Sequence, residues 1–195
     1  GSHQYSNGQA GAFVSIHHPQ NFSDVSLTLR VLRSGCHTCA VNLIVRGVPT
    51  PLGNQNRWYS YISFQISNDG QYSVYKRVRG GSATALQPWT SSSAIHQSGA
   101  YGDEWNVLRV IDFGDSLFFY INGQLVWSGS DATLTSGEVG FSMYSDSSPW
   151  NLAQVDWATI DWANAATTFG AISPEQQALN DAAWQQAARS ETGAP

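Results

Sequence analysis

Charge is scarce in this sequence: 12% of its 195 residues are Asp, Glu, Lys or Arg, and Lys76 is the sole lysine. With a formal net charge of -5 and no basic run, the counterion release that drives binding to nucleic acid or to anionic membranes is missing, so neither partner is expected. Long apolar runs are also missing. No stretch approaches the roughly 18 consecutive apolar residues that a spanning helix needs, and membrane insertion is not expected. Glutamate is limited to Glu104, Glu138, Glu175 and Glu191, which narrows the room for acid–base catalysis. Gly1-Ser2-His3 reads as a cloning remnant, so the lack of a leader at this end says nothing about export.

Cysteine occurs only as Cys36 and Cys39, in "SGCHTCA". A disulfide stapling a loop suits a secreted chain. A redox pair would want a helix N-terminus to stabilise the thiolate, whereas strand-like runs flank this motif. A zinc site would need further ligands, for which His17 and His18 are the other clustered donors. The spacing alone leaves all three open.

What is present is Gly, Ser, Thr, Trp and Tyr, with 42% hydrophobic residues, enough for one filled core and a surface kept soluble by hydroxyls and amides. Period-two alternation recurs between residues 24 and 162, and turn residues punctuate it every eight to twelve residues or so. In "DVSLTLRVL" one face takes Val25, Leu27, Leu29 and Val31; in "AVNLIVRG" Val41, Leu43 and Val45 oppose Asn42, Ile44 and Arg46. Further strands are read at about 60–67, 71–78, 83–87, 105–112, 116–121, 124–128, 137–144 and 154–162. The expected fold is all-β, a two-sheet antiparallel sandwich of jelly-roll type over residues 4–164, followed by a tail over 165–195. In that tail Ser173 as N-cap, Pro174 and Gln176 predict a short C-terminal α-helix at about 174–189.

The stretch "YSYISFQISNDGQYSVYKR" holds a hairpin whose register follows from parity. A two-residue turn at Asp69-Gly70 would mix core and surface residues on one face, whereas a three-residue loop with Gly70 left-handed pairs Ile66 with Tyr72 and Phe64 with Val74. The opposite face then carries Tyr59, Tyr61, Ser63, Gln65, Tyr75 and Arg77. Hydroxyl-bearing rings beside a guanidinium and an amide suit a sugar, the rings for its C–H faces and the forked donors for its hydroxyls. An ordinary solvated strand pair presents similar residues, because Tyr is favoured in strands. Asn42 and Arg46 join this face if their strand is the neighbour. In "SLFFYINGQLVWS" a two-residue turn at Asn122-Gly123 pairs Phe119 with Val126 and leaves Phe118, Tyr120, Leu125 and Trp127 together. That face is too apolar to stay bare, so it expects cover by the C-terminal helix or a partner protein.

Taken together, the hairpin, "ALQPWTSSSAI", "NVLRVIDFGDSLFFYINGQLV" and "SGEVGFSMYS" resemble concanavalin A-like, LamG-type jelly rolls, most closely bacterial extracellular domains grouped as domain of unknown function 1080 and family 66 carbohydrate-binding modules. The resemblance covers about residues 22 to 162 and implies an extracellular, secreted or cell-surface bacterial domain. Related folds hold calcium, for which Asp24, Asp69 and Asp146 are candidate donors, but no loop motif calls for the ion and no cofactor is otherwise implied. The E-x-D-x-x-E strand of jelly-roll glycosidases is absent, and the adjacent Asp103 and Glu104 would point apart in a strand. Asp112, Asp115 and Asp131 read as turn formers. Trp105, Trp157 and Trp162 read as core, Trp89 reads equally as a platform at the edge of a site or as a packing residue, and Trp150 reads as the better exposed aromatic. The expectation is a non-catalytic, lectin-like domain that binds a glycan on one sheet face through Asn42, Arg46, Tyr59, Tyr61, Gln65, Tyr75, Arg77, Trp89 and Trp150. The alternatives are a glycoside hydrolase or lyase of the same fold, and a structural or protein-interaction ectodomain.

Overall fold

The computed structural model describes residues 3–6, 10–97, 104–145 and 152–163. The helix expected at 174–189, Trp150 and Asp146 lie outside them. Two six-stranded antiparallel sheets face each other. The first runs β1 (His3–Ser6), β12 (Leu152–Trp162), β3 (Val25–Ser34), β8 (Asn106–Phe113), β9 (Ser116–Ile121) and β10 (Gln124–Ser130). The second runs β2 (Ala12–Phe22), β11 (Gly137–Ser145), β4 (Val41–Val48), β5 (Ser60–Ile66), β6 (Gln71–Arg77) and β7 (Thr84–Ser91). A 3-10 turn, Asn54–Asn56, interrupts the loop from β4 to β5. The strands run where alternation and turn residues put them. β1 and β2 are the exceptions, β2 because its solvent-facing half, "IHHPQN", carries no apolar alternation.

The inward faces of β3, β8 and β9 meet those of β4, β5 and β6 in one core, centred on Phe64 and Phe119, whose rings stack at 4.6 Å. Burial of each such side chain contributes about 1.5–3 kcal/mol. The β5–β6 hairpin has the register that parity demands: Ile66 opposite Tyr72, Phe64 opposite Val74, and Gly70 left-handed at φ 82°. Cys36 and Cys39 form a disulfide, Cα atoms 5.3 Å apart and both residues buried, in the β3–β4 loop.

Three expectations fail, each at an irregularity. Arg46 belongs by parity on the outer face with Asn42 and Ile44, but its φ of 52° at a bulge in β4 turns it between the sheets. There its Nε and Nη2 donate to the Asp112 carboxylate, and Nη1 and Nη2 also donate to the carbonyls of Asp131, Leu134 and Gly114. Asp112 is thus the fully buried partner of this pair and not a turn former. Likewise, a bulge between Leu125 and Trp127 rotates Trp127 inward against Phe119, away from Phe118, Tyr120 and Leu125. Trp157 is exposed because a bulge in β12 between Val155 and Trp157 reverses its face and sets it opposite Arg30, and Trp162 is exposed at the end of the same strand.

Candidate functional site

The outer face of the second sheet is built from residues that alternate with the core. Register places Ser15 of β2, Ser142 of β11, Asn42 of β4, Gln65 of β5 and Ser73 of β6 in one cross-strand row. Five adjacent strands thus present small polar groups side by side. The Asn42 amide donates to Ser142 Oγ at 2.7 Å, and the Gln65 amide donates to Ser63 Oγ at 2.8 Å. Asn42 is only 2% exposed, yet its Oδ1 accepts no hydrogen bond. A buried acceptor without a protein donor costs about 1–3 kcal/mol unless a water or another donor reaches it.

The next row holds His17, Gly140, Ile44, Ser63 and Tyr75. Here the β4–β5 loop folds back onto the sheet and lays Trp58 flat over two glycines. A Cβ at Gly140 would come within 2.7 Å of the Trp58 ring, and one at Gly47 would overlap it. Trp58, Ile44 and Tyr61 form a small apolar cluster on this side of the sheet, with the His17 ring edge-on to the indole at 5.7 Å. His17 in turn hydrogen-bonds Glu138.

Between the polar row and this aromatic wall lies a shallow depression bounded by Phe13, Ser15, Asn42, Ile44, Tyr61, Ser63, Gln65 and Ser142, with Asn56, Arg57 and Trp58 of the loop above. The enclosed space is about 20 Å³, room for a water molecule and not for a sugar ring, so a larger ligand would lie over the depression rather than within it. The Arg57 guanidinium lies 5.4 Å over the Phe13 ring. Burial pushes the Tyr61 hydroxyl above its ordinary value, against the pull of Arg57 and Arg77 in the other direction.

Of the nine residues expected to bind, Asn42, Tyr61 and Gln65 line this depression. Tyr75 is half-buried in the adjoining row, opposite Ser63. Tyr59 packs beside Gly80, and its carbonyl accepts the Gly80 N–H. Arg77 is buried and donates to the carbonyls of Trp58, Gly80 and Gly81, so it fastens two loops together. Trp89 is exposed on the edge strand β7. Arg46 leaves this face, and Trp150 lies outside the described residues. Sequence reasoning missed Phe13, Ser15, Asn56, Arg57, Trp58 and Ser142. Only the loop carried a usable signal, because "GNQNRWY" places a cation and two rings in a Pro- and Gly-flanked connection.

Asp24 Oδ1 accepts the Gly114 N–H, and Asp69 is bonded to Ser67 and Gln71. Among the described residues no three His, Cys, Asp or Glu side chains converge as a metal cluster would require.

No family model matches the chain, and no curated protein matches it in sequence. Solved structures do. A carbohydrate binding module of family 66 from Bacillus subtilis aligns at TM-score 0.61 and 14% identity, over 81% of this chain and 85% of that one. A protein of unknown function with a galectin-like fold, also from Bacillus subtilis, aligns at 0.57 and 16%, over 82% and 81%. A tetrameric galectin from the ball sponge Cinachyrella aligns at 0.52 and 14%, over 78% and 99%. The chain has the galectin-like, jelly-roll sandwich fold that these proteins share. At such identities the likeness is one of fold.

Proposed function

We propose that this chain is a non-catalytic carbohydrate-binding domain of a secreted or cell-surface bacterial protein, and that a sugar binds across the outer face of the second sheet, over this depression. The observation that carries this is the Asn42 carboxamide: fully buried in a row of small polar groups, with an acceptor left open beside the walls of Tyr61, Ile44 and Trp58. A sugar supplies what that site lacks, a hydroxyl donor on one side of the ring and C–H groups on the other. The disulfide supports an oxidising compartment, and the binding-module and galectin neighbours support the ligand class.

The lining residues include no Asp or Glu. Glycoside hydrolysis needs a pair of carboxyl groups across the scissile bond, so binding is the reading the groove favours. Glu138, the carboxylate on the same face, is tied to His17 beyond Trp58.

Retention on immobilised polysaccharides and on a glycan array tests this directly. The wild-type domain is expected to be retained by at least one glycan, Asn42→Ala and Tyr61→Ala to lose about tenfold or more in affinity, and Trp89→Ala to bind as wild type. Retention that survives both groove substitutions would place the site elsewhere, and no retention by any glycan would end the carbohydrate reading.

A further inference from the structure

Arg57 differs from the other arginines that border this face. Arg77 spends its donors on three carbonyls and Arg46 spends its own between the sheets, whereas the Arg57 side chain makes no hydrogen bond or ion pair with the described residues. Its Nε is buried and without a hydrogen-bond partner among the described residues, and its guanidinium lies over the Phe13 ring. The backbone around it is well tied, since the Arg57 N–H donates to the Asn54 carbonyl and the Arg57 carbonyl accepts from Gly53. The loop therefore presents a half-buried cation, its Nε cut off from water, to a depression with no carboxylate in its walls.

On elementary grounds that arrangement is unfinished. A guanidinium that has lost water at Nε and gained no acceptor is uncompensated, and a carboxylate is the group that its planar fork fits best. Asn42 Oδ1 lacks a donor on the floor while Arg57 lacks an acceptor on the roof. A neutral sugar answers only the first.

We propose that the unit bound over this depression is a uronic acid, its carboxylate taken by Arg57 from above and one of its hydroxyls donating to Asn42 Oδ1 from below. This inference rests on the carbohydrate reading and goes past it to the ligand's charge. The protein's overall formal charge of -5 opposes long-range capture of a polyanion, so selection comes from the short-range contact and binding weakens only modestly with salt.

The test uses matched pairs: galacturonate, glucuronate and alginate oligosaccharides, each beside its carboxyl-reduced counterpart, which keeps every linkage and ring hydroxyl but is neutral. By calorimetry, at least one acidic member is expected to bind the domain about tenfold to a hundredfold more tightly than its reduced partner, the range that a hydrogen bond to a charged group covers. Arg57→Gln should abolish that preference and leave weak, charge-blind binding, while Arg57→Lys, which keeps the cation without the fork, should keep part of it. Thermal melts of both variants within a few degrees of wild type would assign the change to the groove. Equal binding of acidic and reduced members, with loss of both in Asn42→Ala, would overturn the uronate inference and leave the carbohydrate reading standing. So would a preference that persists in Arg57→Gln, or one for sulfated galactans over every uronate. Failure of all glycans, acidic and neutral, would overturn both.

Discussion

Arg46 and Arg57 flank the same turn of chain and have opposite surroundings. Arg46 lies between the sheets with every guanidinium donor engaged, by Asp112 and three carbonyls. Arg57 lies over the outer face with no polar partner for its side chain among the described residues. A guanidinium that the fold saturates holds the fold together; one that it leaves open is available to a ligand. Residue type is the same in both, so the division of labour is set by backbone path alone: a left-handed bulge in β4 for the first, a tied loop for the second.

The sharpest way to break this contrast is to truncate each arginine in turn. Arg46→Ala leaves the Asp112 carboxylate buried and alone, and urea unfolding is expected to register a loss of about 3–5 kcal/mol. Arg57→Ala should stay within about 0.5 kcal/mol of wild type in the same titration. If the two losses came out alike, the contrast would be wrong.

Next in size is the effect of pH. Burial pushes the Asp112 carboxyl up to about 6, against the hydrogen bonds and charge of Arg46, which pull it down. The folded state therefore holds this proton more tightly than the unfolded chain does. The contribution is fully present below the unfolded value near 4 and is lost as pH rises through about 6. Asp131 works in the opposite sense: burial raises its carboxyl, but Lys76 and the N–H groups of Leu134 and Thr133 outweigh that and hold it low. Its contribution is lost as pH falls below the ordinary carboxylate range. Urea midpoints measured from pH 3 to 7 should thus lose their decline between about pH 4 and 6 in Asp112→Asn and keep it in Asp131→Asn.

A smaller effect is expected on the ligand side. Gly140→Ala drives a methyl against the Ile16 carbonyl of β2 and into the Trp58 ring, which should cost about 1–3 kcal/mol as overpacking and also weaken glycan retention, because the indole forms the wall of the depression. Stability loss without any change in retention would mean that Trp58 is merely filler. Last, replacing Cys36 and Cys39 by Ser removes a very short covalent loop and should cost at most about 2 kcal/mol, with retention intact. That variant separates general loosening from damage to the groove.

The sandwich was legible from alternation because strand burial has a period of two and most of these strands are regular. Even the three-residue hairpin loop at Gly70 followed from parity. Parity failed where one residue is inserted. It misplaced Arg46 and Trp127 because a bulge reverses every side chain after it, and nothing in "VRGV" or "QLVW" marks the extra residue. Half of the candidate site escaped for a different reason. Asn42, Tyr61 and Gln65 sit on strands whose faces can be counted, but Arg57 and Trp58 reach the groove only because a loop doubles back, and Phe13 and Ser15 because an edge strand of unreadable pattern pairs with β11. Contacts of that kind depend on tertiary closure.

The seat of Trp58 over Gly47 and Gly140 also bears on how such a domain diversifies. The sandwich core keeps its own contacts whatever occupies the outer face, while one connection, docked on two glycines, supplies the roof, the cation and the aromatic wall of the groove. Substitutions within that connection can retune ligand choice without jeopardising the sheets beneath.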